Sequence, residues 1–263
     1  MQLLALDTST EQLSIAVQSG DRVWCHRGAG AAQASAHLIP AVLETLRQAG
    51  LRLSELDALV VGRGPGSFTG LRTACAVAQG LAYGSERPVL GLDTLLALAP
   101  PVLAHDPGAH RVLAVLDARM QQVYVAAYEL DAAQGVPGGE WRTRMPPGLY
   151  DPGDVTLPAD WLDDPAVWVS GNALSLLDEV PGVLRCPDGR VRRSLPCLPD
   201  AQALLQLAPA ALARGEAVAA RDLLPLYLRD KVALTTAERD ALKTRGAGCG
   251  PGSLPAVRPE TAS

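Results

Sequence analysis

The chain has 263 residues, which suits two modest domains or one large one. Apolar residues make up 48% and aromatics only 4%, so a real core is expected, built from Leu, Val and Ala. The net charge of −5 argues against an autonomous nucleic-acid binder, whose affinity rests on basic surface.

The chain opens MQLLALDTST, with no basic leader region and with Asp7 interrupting the apolar run, so no signal peptide is expected. Residues 2–6 and 13–17 read as buried strands joined through the turn DTSTEQ, and residues 22–27 as a third strand. SAHLIPAVLETLRQAG predicts a strong helix with Ser35 as its cap and Gly50 as its end, Pro40 standing near its first turn or marking a slightly later start. Its apolar positions Leu38, Ile39, Val42, Leu43 and Leu46 form a stripe wide enough to cover a sheet and leave an edge for a partner. A short connection and a strand, LSELDALVVG, follow.

GRGPGSFTGLR, Gly62 to Arg72, then stands between that strand and a helix over residues 69–83. A glycine-rich turn before a helix can hold phosphate, because the first helical turn has unpaired N–H donors. The known spacings fail here. A P-loop needs GxxxxGK[ST], and the chain's two lysines are Lys231 and Lys243. A dinucleotide fingerprint starting at Gly64 needs glycine at residue 69, which is Thr69. The expected role is a sharp turn made by the glycines and Pro65, with Ser67 or Thr69 capping the helix. RPVLGLD is the next strand, and PPVLAHDPGAH, residues 100–110, reads as a break.

After the break a pattern returns. LDARMQQVYVAA lies against LDTSTEQLSIAV when Asp117 is placed over Asp7, and both stretches read strand, Asp turn, strand. Residues 131–165 are rich in Pro, Gly and Asp and read as loops. AVWVSGNAL reads as a strand entering a turn, SLLDEV as a short helix, and DAQALLQLAPAALARG as a helix interrupted by Pro209. The basic run GRVRR, Gly189 to Arg193, reads as a solvated loop. LLPLYLR is a short terminal segment, and from Gly246 the composition predicts disorder. Five cysteines (25, 75, 186, 197, 249) with no CxxC spacing are expected as free thiols in a reducing cytoplasm, with no zinc site. No stretch reads as a membrane span, since the longest apolar run contains Asp93 and Pro100–Pro101.

A duplicated α/β unit with an Asp turn in each half resembles the actin–Hsp70–sugar-kinase superfamily, a ribonuclease H-like fold. Three stretches, ALDTSTEQLSIAV, GRGPGSFTGLRTACAVAQGLA and AVLDARMQQVYVAAYE, together with PLYLRDKVA, resemble the TsaB (YeaZ) family over roughly residues 1–235. The resemblance implies two actin-like halves, 1–104 and 105–235, with the last segment able to pack back on the first, and a tail at 246–263. It implies a non-catalytic cytoplasmic subunit that docks on a catalytic relative, TsaD, with the ATPase TsaE as third member. TsaD transfers threonylcarbamoyl to N6 of adenosine 37 in tRNAs reading ANN codons; tRNA would be met indirectly, and a homodimer is expected in the absence of the partner. The competing readings are an ATP-dependent phosphotransferase or ATPase of the same superfamily, and a metallopeptidase.

The TsaD family carries an HxxxH metal motif, and the corresponding stretch here, GLDTLLALA, contains no histidine. None of His26, His37, His105 and His110 forms such a pair, so no metal is expected. The superfamily's phosphate-facing positions fall on Asp7, Ser9 and Asp117. The turns DTST and DAR lack the usual glycine, and Arg119 is placed to neutralise Asp117, so no resident cofactor is expected and ATP or ADP only weakly or at a partner interface. The two helices supply the expected docking surface: His37, Leu38, Ala41, Val42 and Thr45 on the first, and Thr73, Ala74, Val77 and Leu81 on the second, where small residues at helical spacing permit close approach.

Overall fold

Alternation along QLLALD sends Leu4 and Leu6 to one face of a sheet and Leu3 and Ala5 to the other. That strand, β1 (Gln2–Asp7), pairs antiparallel with β2 (Gln12–Ser19), and β2 pairs antiparallel with β3 (Arg22–Ala29). On its other side β1 pairs parallel with β4 (Ala58–Gly64), which pairs parallel with β5 (Val89–Asp93), giving the order β3-β2-β1-β4-β5. The computed structural model describes residues 1–30, 34–131 and 139–229, with side chains 34 and 35 also outside it; the expected disorder from Gly246 lies outside the described residues.

The second sheet repeats this plan. β6 (Arg111–Arg119), β7 (Gln122–Asp131) and β8 (Glu140–Tyr150) form an antiparallel meander, and β9 (Trp168–Gly171) and β10 (Arg193–Pro196) add in parallel beside β6. The order β8-β7-β6-β9-β10 matches the first sheet element for element, with Asp117 on β6 where Asp7 stands on β1. The repeat in the sequence is therefore a duplicated fold, of the actin-like, ribonuclease H-like class.

Two helices cover one face of the first sheet. α1 (Ala34–Ala49) lies over β2 and β3, and α2 (Phe68–Ser85) over β4; Leu38, Val42, Ala74 and Ala78 meet Leu4, Leu6, Ile15 and Val61. α1 begins at Ala34, so Ser35 lies within its first turn rather than capping it. The other face takes α4 (Ala201–Ala213), whose Ala201, Leu204, Leu205 and Ala208 pack on Leu3, Ala5, Ala16 and Val60. The aromatic-poor composition is realised as close Ala-on-Ala and Leu-on-Val contact.

Five readings are corrected. PPVLAH is no break: after a 3-10 turn at Thr94–Leu98 it forms α3 (Ala99–His105), with Pro100 and Pro101 in the first turn, where the missing N–H has no helical partner to lose. Pro209 does not interrupt α4, because the apolar face on either side is buried on the sheet. Residues 140–150 form edge strand β8, with Pro146 and Pro147 at a register shift between Met145 and Gly148, where an edge tolerates proline. The run Gly189–Arg193 is not simply solvated, since Arg192 is 2% exposed. Its guanidinium donates to the carbonyls of Trp161, Leu162, Asp164, Gly182 and Val183, tying the 155–184 segment over the outer face of the second sheet. SLLDEV, residues 175–180, expected as a short helix, only overlaps the end of a 3-10 turn at Leu174–Leu176.

Candidate functional site

The glycine loop and the Asp turn form one interlocked unit. Asp7 ends β1 and is fully buried. Its Oδ1 accepts the Ser9 N–H at 2.9 Å and the Ser9 hydroxyl at 2.6 Å, which closes the turn. Among the described residues its Oδ2 has no hydrogen-bond partner, and it faces Gly62, where a Cβ would stand 1.8 Å away. The loop then docks on the turn backbone to backbone: Ser67 N–H donates to Ser9 O at 2.7 Å, and the Thr8 hydroxyl donates to Gly70 O at 2.7 Å. A Cβ at Gly70 would meet Thr8 O at 1.9 Å, so only glycine permits this approach. Ser67 caps α2 by accepting from Gly70 N–H. The glycines thus admit the neighbouring turn at backbone distance.

Burial raises the Asp7 carboxyl from 3.8 to about 6, against the lowering effect of the two Ser9 hydrogen bonds. Asp117, its counterpart, is partly exposed but engaged: Oδ1 accepts Arg119 N–H at 2.7 Å, Oδ2 lies 3.4 Å from Arg119 Nη1, and its own N–H donates to Asn172 Oδ1 at 2.9 Å. Arg119, Met120 and Gln121 all hold positive φ, which turns β6 tightly into β7 and folds the arginine back on the aspartate. Asp7 and Ser9 are therefore together, and Asp117 sits in the other sheet with a cation of its own. Among the described residues, no three His, Cys, Asp or Glu side chains come together as a metal would require. Cys25, Cys75, Cys186 and Cys197 are free thiols, and no helix among the described residues is long and apolar enough to cross a membrane.

The helical surface divides into an inner and an outer face. Leu38, Val42, Thr45 and Ala74 turn inward and are buried; the Thr45 hydroxyl donates to Ala41 O at 2.8 Å. Ala41, Val77 and Leu81 are half-buried at the seam, and Thr73 donates to Thr69 O at 3.0 Å. His37 is exposed. The large apolar side chains that face outward are Ile39, 44% exposed, Leu43, 50% exposed, and Tyr83, 83% exposed. Ile39 and Leu43 belong to the wide stripe legible in the sequence, but only the position of the sheet tells which half of the stripe remains outside.

A second feature lies in the terminal LLPLYLR stretch. Residues 223–228 strap across α2: Leu226 N–H donates to Arg63 O at 2.8 Å and Gln79 Nε2 to Leu223 O at 2.8 Å. Tyr227 stacks at 5.3 Å on Phe68, the chain's single phenylalanine. Arg72 lies 3.8 Å over the Phe68 ring, and its Nε donates to the Tyr227 hydroxyl at 2.9 Å.

Comparison with known proteins places these features in a family. Residues 30–136 match the family described as TsaD, tRNA N6-adenosine threonylcarbamoyltransferase. The tRNA threonylcarbamoyladenosine biosynthesis protein TsaB of Escherichia coli is 36% identical over 89% of this chain and 96% of its own length. Its namesake in Haemophilus influenzae is 30% identical over 88% and 95%. A solved structure of YeaZ from Pseudomonas aeruginosa is 38% identical, with a TM-score of 0.74, covering 86% of this chain and 99% of that one. Another, of a protein described as similar to the peptidase YeaZ from the same species, is also 38% identical and has a TM-score of 0.76 over 87% and 99%.

Proposed function

The chain belongs to the TsaB family, and from that footing we propose that it serves tRNA threonylcarbamoyladenosine biosynthesis as a non-catalytic subunit that docks on the TsaD transferase through the outer face of α1 and α2. The observation that carries this reading is the outward position of Ile39 and Leu43 on a helix whose other apolar side is already spent on the core. Covering these two half-exposed side chains would contribute about 1 kcal/mol each. The match of residues 30–136 to the TsaD family supports a partner that carries the same two helices, so that like faces meet about a pseudo-two-fold axis.

The non-catalytic part of the reading is supported by the state of the acids. Asp7 is sealed beneath Gly62, and Asp117 is held by Arg119. These residues do not fit a nucleotide phosphate or its metal. TsaE and tRNA would then be met through the assembled complex, threonylcarbamoyl being transferred to N6 of adenosine 37 by TsaD.

The test is co-elution of the purified chain with TsaD from the same cell, with an in vitro modification assay run with and without it. Binding and a modification rate that depends on the chain are expected, and Leu43→Asp should abolish both while leaving the fold intact. An unchanged rate without co-elution, or tight magnesium-dependent ATP binding by the chain alone, would overturn the proposal.

A further inference from the structure

A cavity of about 300 Å³ lies on the α4 side of the first sheet, where the two halves meet. Gln206, Leu207, Ala210, Ala211 and Arg214 line it from α4, at the spacing that puts residues on one helical face. Leu92 of β5, Leu96 of the 3-10 turn and Leu103 of α3 supply apolar wall from the first half. Glu140 and Trp141, at the start of β8, close it from the second. Trp141 is half-buried and packs against three separate parts of the core, which holds its indole at the cavity wall. The volume falls at the lower end for small-molecule sites and has room for about ten non-hydrogen atoms, at about 30 Å³ for each water-sized group. A core built for stability alone would fill it, since α4 places alanine at 210 and 211 where leucine suits a helix nearly as well.

The charges at the rim are unequal. Arg214 Nη1 donates to Glu140 Oε1 and its Nε to Glu216 Oε1, both at 2.5 Å. One guanidinium is therefore met by two carboxylates, and a negative charge is left in excess. Among the described residues Glu140 Oε2 takes no hydrogen bond. Arg214 and Glu140 are 43% and 25% exposed, so their bridge is only partly desolvated and can rearrange at small cost. An anion would have to pull Arg214 from both acids and then face their repulsion. A cation needs only the oxygen that Glu140 has to spare.

We propose that this cavity binds a small organic cation, a primary amine on a short apolar body. The ammonium donates to Glu140 Oε2 at the rim, and the body lies among Leu92, Leu96, Leu103 and Leu207. The indole of Trp141 adds the attraction of an aromatic ring for a cation. Leu92, Leu207 and Ala211 belong to the core on the α4 face of the sheet, whereas α1 and α2 cover the other face, so the amine does not compete with a partner docked on those helices. A ligand held by α4 and β8 together ties the two halves and stabilises both.

Titration calorimetry on the full chain tests this with three probes of similar shape: phenethylamine, 2-phenylethanol and 3-phenylpropionate. Phenethylamine should bind with a Kd on the order of 0.1–1 mM. It should bind about 10-fold more tightly than the alcohol or the acid, the margin of a charged hydrogen bond. At ten times its Kd it should raise the melting temperature by about 3–5 °C. Glu140→Gln leaves Arg214 on Glu216 and should weaken the amine about 10-fold without changing the alcohol. Ala210→Leu, which extends into the cavity, should fold and lose all three probes. An amine bound no better than the alcohol or the acid, full amine affinity in E140Q, or amine binding by a folded A210L protein would overturn the proposal.

Discussion

Asp7 gives the fold a stability that falls as pH rises. Its carboxyl is fully buried, one oxygen is satisfied by Ser9 and the other faces Gly62 without a partner among the described residues, and burial raises it from 3.8 to about 6. The folded state therefore keeps the proton over a range in which the unfolded chain has released it. Stability is full below the unfolded value, declines as pH climbs through the folded value, and is flat beyond it. The gap between 3.8 and about 6 corresponds to about 3 kcal/mol in total, of which about 2 kcal/mol falls between pH ~4.5 and ~7.5. Asp7→Asn isolates this contribution. Asn keeps an acceptor for Ser9 and places an amide where Oδ2 stood, a penalty that does not vary with pH. Urea denaturation of both proteins across the window should show the stability difference moving by about 2 kcal/mol in favour of the Asn variant as pH rises. A difference that stays constant, or moves the other way, would refute the claim that Asp7 is held as a desolvated acid.

The remaining predictions concern packing. Gly70→Ala places a Cβ 1.9 Å from Thr8 O, a backbone atom that cannot step aside, and should cost about 3–5 kcal/mol in denaturant unfolding. Arg192→Met removes a buried cation that satisfies five carbonyls and should cost at least about 3 kcal/mol, with proteolysis of the 155–184 segment as the early sign. Pro209→Ala should raise the melting temperature, because α4 already continues through this position and alanine restores a helical N–H; a gain of about 1–3 kcal/mol is expected.

The elements written as continuous apolar runs were legible. β1, β2, β4, β6 and β7 bury residues of both faces, and their apolar runs stand between turn residues. β8 escaped because its punctuation is that of a loop: Pro146, Pro147 and Gly148 are tolerated only since the strand is an edge with a register shift. α3 escaped for a related reason, Pro100 and Pro101 marking the start of a helix rather than a stop. The Asp turns and the capping role of Ser67 followed from local chemistry, but the partner of the glycine loop did not. Gly62 and Gly70 are required by Asp7 and Thr8, more than fifty residues earlier, and no local spacing records that contact. The apolar stripe of α1 was half legible. Helical periodicity gives the width of an apolar face, whereas its division between Leu38 and Val42 inside and Ile39 and Leu43 outside depends on where the sheet lies.

The orientation of α2 is the hinge of the functional reading, and three long-range locks set it. Ser67 N–H on Ser9 O and the Thr8 hydroxyl on Gly70 O fix its first turn to the Asp turn, while Leu226 N–H on Arg63 O brings the strap over the strand that feeds it. Asp7 is the base of the first lock, because its carboxylate closes the turn that presents Ser9 O. A buried acid with a raised proton affinity destabilises the fold at neutral pH, and a core built for stability alone would place an apolar side chain there. What Asp7 does instead is hold the Ser9 turn in the shape that α2 docks on. Asp7→Leu should therefore leave the sheet folded yet shift α2, and the loss should appear as weaker TsaD binding rather than as global unfolding. Equal binding by a folded Asp7→Leu protein would show that the Asp turn does not position the helix, and would detach the buried acid from the docking face.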